Sequence, residues 1–379
     1  MKNAVIAGYV RSPFHLATKG DLAKVRPDDL AAQVVKGLLD KTGVDPAAIE
    51  DLILGCAFPE GEQGLNVARL IVMLAGFPRS VGGVTVNRFC GSSMQAIHMA
   101  AGAIATGSGE AFICGGIESM TRIPMMGFNP LPNPALAEKE PGAYMPMGIT
   151  AENLAKKFGF SRKDQEAFAV ESHRKAAQAR LEGRLKDEII PIATPDGKIV
   201  SEDGCIRPET TLEVLSTLKP AFDAAGTVTA GTSSPLTDGA SATLVVSEDF
   251  AKAHKLKILA RIKSMAVSGC DPSIMGYGPV PASQKALKRA GITVKDLDVI
   301  ESNEAFAVQA MTVNREMGFD MAKVNIDGGA VALGHPLGAT GARITGKAAA
   351  LLQRTGGKFA LTTQCIGGGQ GIATVLERA

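Results

Sequence analysis

The sequence predicts an α/β protein made of two similar halves with a segment inserted between them. Three observations carry this: a strand–turn–helix rhythm over the first 120 residues, an internal repeat at a constant offset, and a break in composition between the repeats. Residues 4–9 read as a strand and 28–42 as an amphipathic helix. Residues 51–56 and 83–87 are short β-branched or apolar runs, 92–107 looks helical, and 110–115 is another apolar strand. Strands alternating with helices predict a largely parallel sheet.

The repeat pairs LLDKTGVDPAAIEDLI (38–53) with ALKRAGITVKDLDVIE (286–301). Each is a helix end, a glycine (Gly43, Gly291), a small apolar residue, a spacer and an apolar–acidic pair, all 248 residues apart. A second echo pairs GSGEAFICGG (107–116) with TGGKFALTTQCIGGG (355–369), which makes Cys365 the counterpart of the Cys114 strand end. Two echoes in the same order indicate duplication. Between them, 121–148 is rich in Met, Pro and Gly, 149–190 is polar and helical, and 191–237 returns to Pro, Gly and Ser. The expected division is 1–120 with 238–258 as the N-terminal half, 121–237 as the insert, and 259–379 as the C-terminal half. A chain of 379 residues suits several domains, since single cores stop growing near ~250–300 residues.

Composition excludes several classes. Trp is absent and Tyr numbers three, so no aromatic platform for sugars or single strands is expected. The net charge of +2 has no basic stripe, which argues against nucleic acid. No apolar stretch approaches the ~18–20 residues of a membrane span. MKNAVIAGYVRSPF lacks the apolar core of a signal peptide, and the terminal LERA is neither a peroxisomal nor a prenylation signal. The six cysteines are scattered without a C-x-x-C pair, as in reduced proteins of a cytoplasmic compartment.

Cys90 follows a β-branched strand, and Gly91-Ser92-Ser93 opens a helix behind it. A thiol there meets the positive end of the helix dipole, which would lower its pKa and expose it as on a nucleophile elbow. It reads equally well as one more buried cysteine. Cys365 ends an apolar strand before three glycines, which suits either a ligand-facing turn or a plain Gly-rich turn. Among five histidines, His173 (on a charged surface helix) and His254 read as solvated, and His98 as a packing or capping residue. His15 stays open, and His335, held off a helix by Pro336 in a glycine-rich turn, is the best base by elimination. Asn303 in IESNEAFA serves either as a donor to a developing oxyanion or as an N-cap. No His/Cys cluster has metal-ligand spacing.

Taken together, VNRFCGSSMQAI, NIDGGAVALGHPLGATG, QCIGGGQG and NEAFA resemble the four signature segments of the thiolase family, in the family's order and over essentially the whole chain. TAEN, TVTAGTSSPLTDGA and MGYGPVPAS add further matches. The resemblance implies a duplicated α-β-α-β-α layered sandwich with an inserted loop domain that binds coenzyme A. It implies that Cys90 accepts the acyl group, His335 activates it, Cys365 moves a second proton, Asn303 orders a water, and the N–H groups of Cys90 and Gly367 form an oxyanion hole. It assigns Arg207 to the adenine, Ser234 to the pantetheine amide, Met147 to the thioester, and Leu218, Phe222, Ala230, Met275, Ala305 and Phe306 to the apolar wall. CoA and acyl-CoA would be substrates, with no tightly bound cofactor and no metal.

One departure stands out. Pro146 occupies a position where short-chain biosynthetic members carry His, and 121–146 is short for a tetramerisation loop. The expectation is therefore degradative cleavage of 3-ketoacyl-CoA by a homodimer, or a dimer of dimers, associating with other β-oxidation enzymes. The alternatives are a biosynthetic acetoacetyl-CoA thiolase and a Cys–His–Asn hydrolase. A ketoacyl synthase would need a second histidine, a hydroxymethylglutaryl-CoA synthase a Glu acid, and an acyl-CoA carrier would have no need of the catalytic set.

Overall fold

A computed structural model describes residues 2–379. The N-terminal half runs β1 (Ala4–Arg11), β2 (His15–Leu16), α1 (Pro27–Thr42), β3 (Asp51–Gly55), α2 (Val67–Leu74), β4 (Gly82–Val86), α3 (Ser92–Thr106) and β5 (Ala111–Ser119). Then come α4 (Pro134–Lys139), α5 (Met147–Phe158), α6 (Arg162–Leu181), β6 (Ile192–Ala193), β7 (Ile199–Val200) and α7 (Leu212–Ser216). The chain returns through β8 (Thr237–Ser247) and α8 (Glu248–Ala253). The second half is β9 (Ala260–Gly269), α9 (Pro279–Ala290), β10 (Val299–Ser302), α10 (Ala307–Met317), α11 (Ala330–Leu333), α12 (Leu337–Thr355), β11 (Phe359–Ile366) and β12 (Gln370–Glu377).

The strand order is β10-β11-β12-β9-β1-β8-β5-β3-β4. The halves join at β1 and β9 through the pairs Val5–Arg261 and Ile6–Ala260. Helices α1 and α2 cover one face of the first half-sheet, α9 covers the far face of the second, and α10 packs on α9. Helix α12 touches β1, β5 and β8 on one side and β10 and β11 on the other, with α3 beside it. The layers are thus α-β-α-β-α. The expectation of a largely parallel sheet is corrected: β3–β4, β3–β5 and β10–β11 are parallel, and the other pairings are antiparallel. The reason lies in the connections. The segment between β5 and β8 brings the chain back from the same end, and β11–β12 needs only a glycine turn, so neither makes the crossover a parallel neighbour requires.

The duplication is real in three dimensions. Gly43 (φ 68°) and Gly291 (φ 69°) both end their helices in the left-handed conformation, which favours glycine. Each is followed by a 3₁₀ turn, Pro46–Ala48 and Val294–Asp296, and then by β3 or β10. Pairing fixes the correspondence: Asp51 lies opposite Phe112, and Val299 opposite Ala360. The offset of 248 therefore holds through β5 and β11, and it overturns one expectation. Cys114 corresponds to Thr362, and Cys365 to Ile117.

The segment between β5 and β8 is locked to α12 by buried charges. Arg11 pairs with Asp203 and Glu188, and Lys347 with Glu188 and Asp327. Such a network fixes orientation more surely than it adds stability, because each ion loses its water shell.

Candidate active site

Cys90 sits where the sequence puts it, between β4 and α3. Its turn is tight. Phe89 takes a left-handed φ of 43°, Asn87 Oδ1 accepts from Phe89 N at 2.8 Å, and Ser92 Oγ accepts from Arg88 N at 2.9 Å. A non-glycine residue held there is strained, and such strain gathers at functional sites. Helix α3 has no side-chain N-cap. The Cys90 sulfur instead faces the N–H groups of Gly367 and of Cys90 itself. Around it pack Ala57, Phe58, Met120 and Leu337.

Cys365 is buried at the end of β11 in a cluster with Leu154, Met275, Ala305 and Phe306, and Met147 packs on that cluster. It is close enough to Cys90 that charge on one thiol disfavours charge on the other. The neighbouring Gln364 donates its side-chain amide to the Cys90 carbonyl. Asn303 N donates to Thr363 O at 2.9 Å, which ties the end of β10 to the same strand.

His335 lies in the turn between α11 and α12, and its tautomer follows from its neighbours. Thr340 Oγ1 donates to Pro336 O at 3.0 Å, so it accepts from His335 Nδ1 at 2.6 Å. The proton is then on Nδ1, and Nε2 is a bare acceptor 3.4 Å from Asn303 Nδ2. Asn303 Oδ1 is buried and, among the described residues, has no hydrogen-bond partner. Asn303 is not an N-cap: α10 begins at Ala307 with Phe306 before it.

Electrostatics overturn one expectation. Burial pushes the Cys90 thiol up to about 12, and Glu118 adds to the rise against the two backbone N–H groups. The two N–H groups act in the direction expected of backbone donors, but desolvation outweighs them. Burial likewise raises Cys365 well above the usual thiol range. His335 falls to about 3, by burial first and the charge of Arg343 second. The resting trio is two neutral thiols and a neutral imidazole. A proton can pass from a thiol to Nε2 only when a polar substrate or a developing charge makes that transfer worthwhile.

Two family models match this chain: the thiolase N-terminal domain over residues 4–249 and the thiolase C-terminal domain over 256–378. The chain belongs to the thiolase family. It is 50% identical to a 3-ketoacyl-CoA thiolase of Bacillus subtilis (strain 168), with both chains covered in full. It is 52% identical to one of Pseudoalteromonas translucida (strain TAC 125), covering 100% of this chain and 99% of that one. The crystal structure of human mitochondrial 3-ketoacyl-CoA thiolase in complex with CoA superposes with a TM-score of 0.92 at 39% identity, covering 100% of this chain and 98% of that one.

Within this thiolase fold, most expected wall residues converge. A Cβ on Gly367 would stand 3.4 Å from the Met147 sulfur. Phe222 meets Phe306 edge-on at 5.8 Å, and Ser234 N donates to Ala305 O at 3.0 Å. Leu218 packs beside Leu215 and Val331, and Ala230 opens a short 3₁₀ turn. His254 is exposed and stacks on Phe250. His98 packs, bonded to Thr374 at 2.8 Å. His15 has both ring nitrogens occupied, by Glu202 O and Asp21 N. The expectation for His173 is corrected: it is buried, and its Nδ1 accepts from Arg207 N at 3.1 Å. Helix α6 is likewise no mere surface helix, since it packs on α11 and α7 and buries Ser172, His173 and Ala176.

Three positioning groups went unread in the sequence. Thr340 sets the His335 tautomer. Glu118 accepts from Ala57 N, Gly338 N and Gln63 Nε2, and so draws the residues around Cys90 together. Glu304 accepts from Ser172 Oγ, Asn325 Nδ2 and Val331 N, anchoring the Asn303 turn. Only Thr340 left a sequence signal, a hydroxyl near the start of the helix that follows the histidine. The two carboxylates bind groups distant in sequence.

Proposed function

We propose that the protein catalyses CoA-dependent thiolytic cleavage of 3-ketoacyl-CoA to acetyl-CoA and a shortened acyl-CoA. The observation that carries this is the second thiol: Cys365 stands against Cys90 beside the Gly367 turn. A Cys–His–Asn hydrolase has no use for it.

In this reading Cys90 attacks the 3-keto carbon, and its proton passes to His335 Nε2. The C2–C3 bond breaks, leaving an acetyl-CoA enolate whose oxygen is held by His335 and an Asn303-bound water, and whose carbon takes a proton from Cys365. The Cys365 thiolate then removes the proton of incoming CoA. That sulfur attacks the acyl group on Cys90, the amides of Cys90 and Gly367 hold the oxyanion, and Cys90 leaves with the proton from His335.

Residues 121–237 act as the CoA-binding unit, with Arg207 at the nucleotide, Ser234 at the pantetheine, and Met147, Leu218, Phe222 and Ala230 along the arm and acyl chain, joined there by Met275, Ala305 and Phe306 of the second half. Pro146, which precedes Met147 at the start of α5, favours the degradative over the biosynthetic reading. The reading includes a cytoplasmic homodimer working with other β-oxidation enzymes. The dimer is supported by β4, which ends the strand order, and by exposed Met73, Leu74 and Met99 on the adjoining α2 and α3. Sedimentation should give twice the chain mass.

The test is CoA-dependent cleavage of 3-ketoacyl-CoAs of several chain lengths by the wild type and Cys90→Ser. Undiminished cleavage by Cys90→Ser, or acid release without CoA, sinks the reading.

A further inference from the structure

One buried titratable group stands outside the chemistry above. His173, on α6, is 4% exposed. Its Nδ1 accepts the N–H of Arg207, 34 residues on in sequence. Burial and then the Arg207 charge hold the ring at about 4, so at neutral pH it is uncharged and free to accept. The Arg207 side chain is exposed, and among the described residues it enters no ion pair. Ile206, just before it, packs with Ala176 and Ala179 of α6 and with Ala332 and Leu333 of α11. The neighbouring Ser172 bonds to Glu304 beside Asn303 at 2.6 Å. One turn of α6 therefore faces two ways: Ser172 toward the Asn303 turn and His173 toward the exposed arginine.

We propose that His173 is a positioning residue for the nucleotide end of CoA: by holding the Arg207 backbone it fixes where that guanidinium meets the ligand. The proposal rests on the CoA reading of Arg207 given above. The physical argument is preorganisation. A long cationic side chain on a loose loop must be ordered when it binds, whereas one on a pinned backbone loses less freedom. A buried acceptor opposite the amide does the pinning, and its loss leaves that N–H without its partner on α6.

The test compares two thiol acceptors. Thiolysis of a 3-ketoacyl-CoA by CoA needs the nucleotide contact; thiolysis of a 3-ketoacyl-pantetheine by pantetheine does not. Losing one hydrogen bond, His173→Leu should raise the KM for CoA about three- to ten-fold with kcat within about two-fold. The same variant should leave the pantetheine reaction within about two-fold of wild type. His173→Gln, which retains an acceptor, should restore most of the CoA affinity. If His173→Leu does not fold, His173→Phe carries the same comparison with the ring kept and the acceptor removed.

An unchanged KM for CoA overturns the proposal. So does an equal loss with pantetheine, which would mark His173 as a packing residue only. Arg207→Ala separates the two levels. If it leaves the KM for CoA unchanged, the CoA reading of Arg207 fails and the proposal falls with it. If it raises that KM while His173→Leu does not, the proposal alone fails.

Discussion

The two halves share a backbone plan and divide the candidate chemistry unequally. Both contain a helix closed by a left-handed glycine, a 3₁₀ turn, a parallel strand pair and an antiparallel return. Yet the first half supplies one candidate catalytic side chain, Cys90, while the second supplies Asn303, His335 and Cys365. The offset of 248 carries Cys365 back to Ile117 and Cys90 forward to Gly338. Gly338 spends its N–H on Glu118 at 2.9 Å, drawing the start of α12 to the wall around Cys90. Where the copies match, they build the scaffold. Where they differ, they build the site, because a nucleophile and its acid must meet across a seam and do not need to be repeated on both sides of it.

The sharpest way to break this comparison is to exchange the thiols. Cys90→Ser and Cys365→Ser should each lower kcat by about 10³–10⁴-fold, since each removes a group the reaction needs. They should differ in one respect. Mixed with acyl-CoA, Cys365→Ser should still gain an acyl group by intact mass spectrometry, and Cys90→Ser should not. Acylation of Cys365 would reverse the assignment of the halves.

Asn303→Ala should lower kcat by about 10²–10³-fold with a small change in KM, as for other lost oxyanion contacts. A larger change in KM than in kcat would move Asn303 from transition-state to ground-state binding.

The raised Cys90 thiol makes a prediction about pH. With Cys90 at about 12, the thiolate fraction at pH 8 is small and rises with pH. Inactivation by iodoacetamide should climb about ten-fold per pH unit through pH 10, or about 100-fold from pH 8. A plateau near pH 8.5–9 would show that the helix terminus prevails over burial after all.

At the seam, a Cβ on Gly116 would stand 2.0 Å from the Gly338 carbonyl oxygen. Gly116→Ala should therefore cost about 2–3 kcal/mol or more, because backbone rather than a flexible side chain must move; thermal melting reads it. The smallest effect tests the repeat itself. Gly43→Ala and Gly291→Ala face open space at nearly the same positive φ, so each should cost about 1–2 kcal/mol by backbone strain alone, and by nearly the same amount. A clear inequality would show that the two copies have drifted in their tertiary load.

The sequence by itself determined what depends on near neighbours. Strand runs, helix periods and glycine caps act within a few residues, so the order of elements, the duplication, the Cys90 turn and the His335 loop were all legible. Register was not, since an echo of Cys-Gly-Gly with Cys-x-Gly-Gly misplaced Cys114 against Cys365 by three residues and only strand pairing fixed it. Nor was sheet direction, which hung on how the segment between β5 and β8 returns. His173 read as solvated because its sequence neighbours are charged; three-dimensional packing turned that one face inward. The thiol acidity was misjudged for the same reason. A helix terminus is a local feature, but desolvation comes from everything the fold brings near, and around Cys90 the tertiary structure decided the sign.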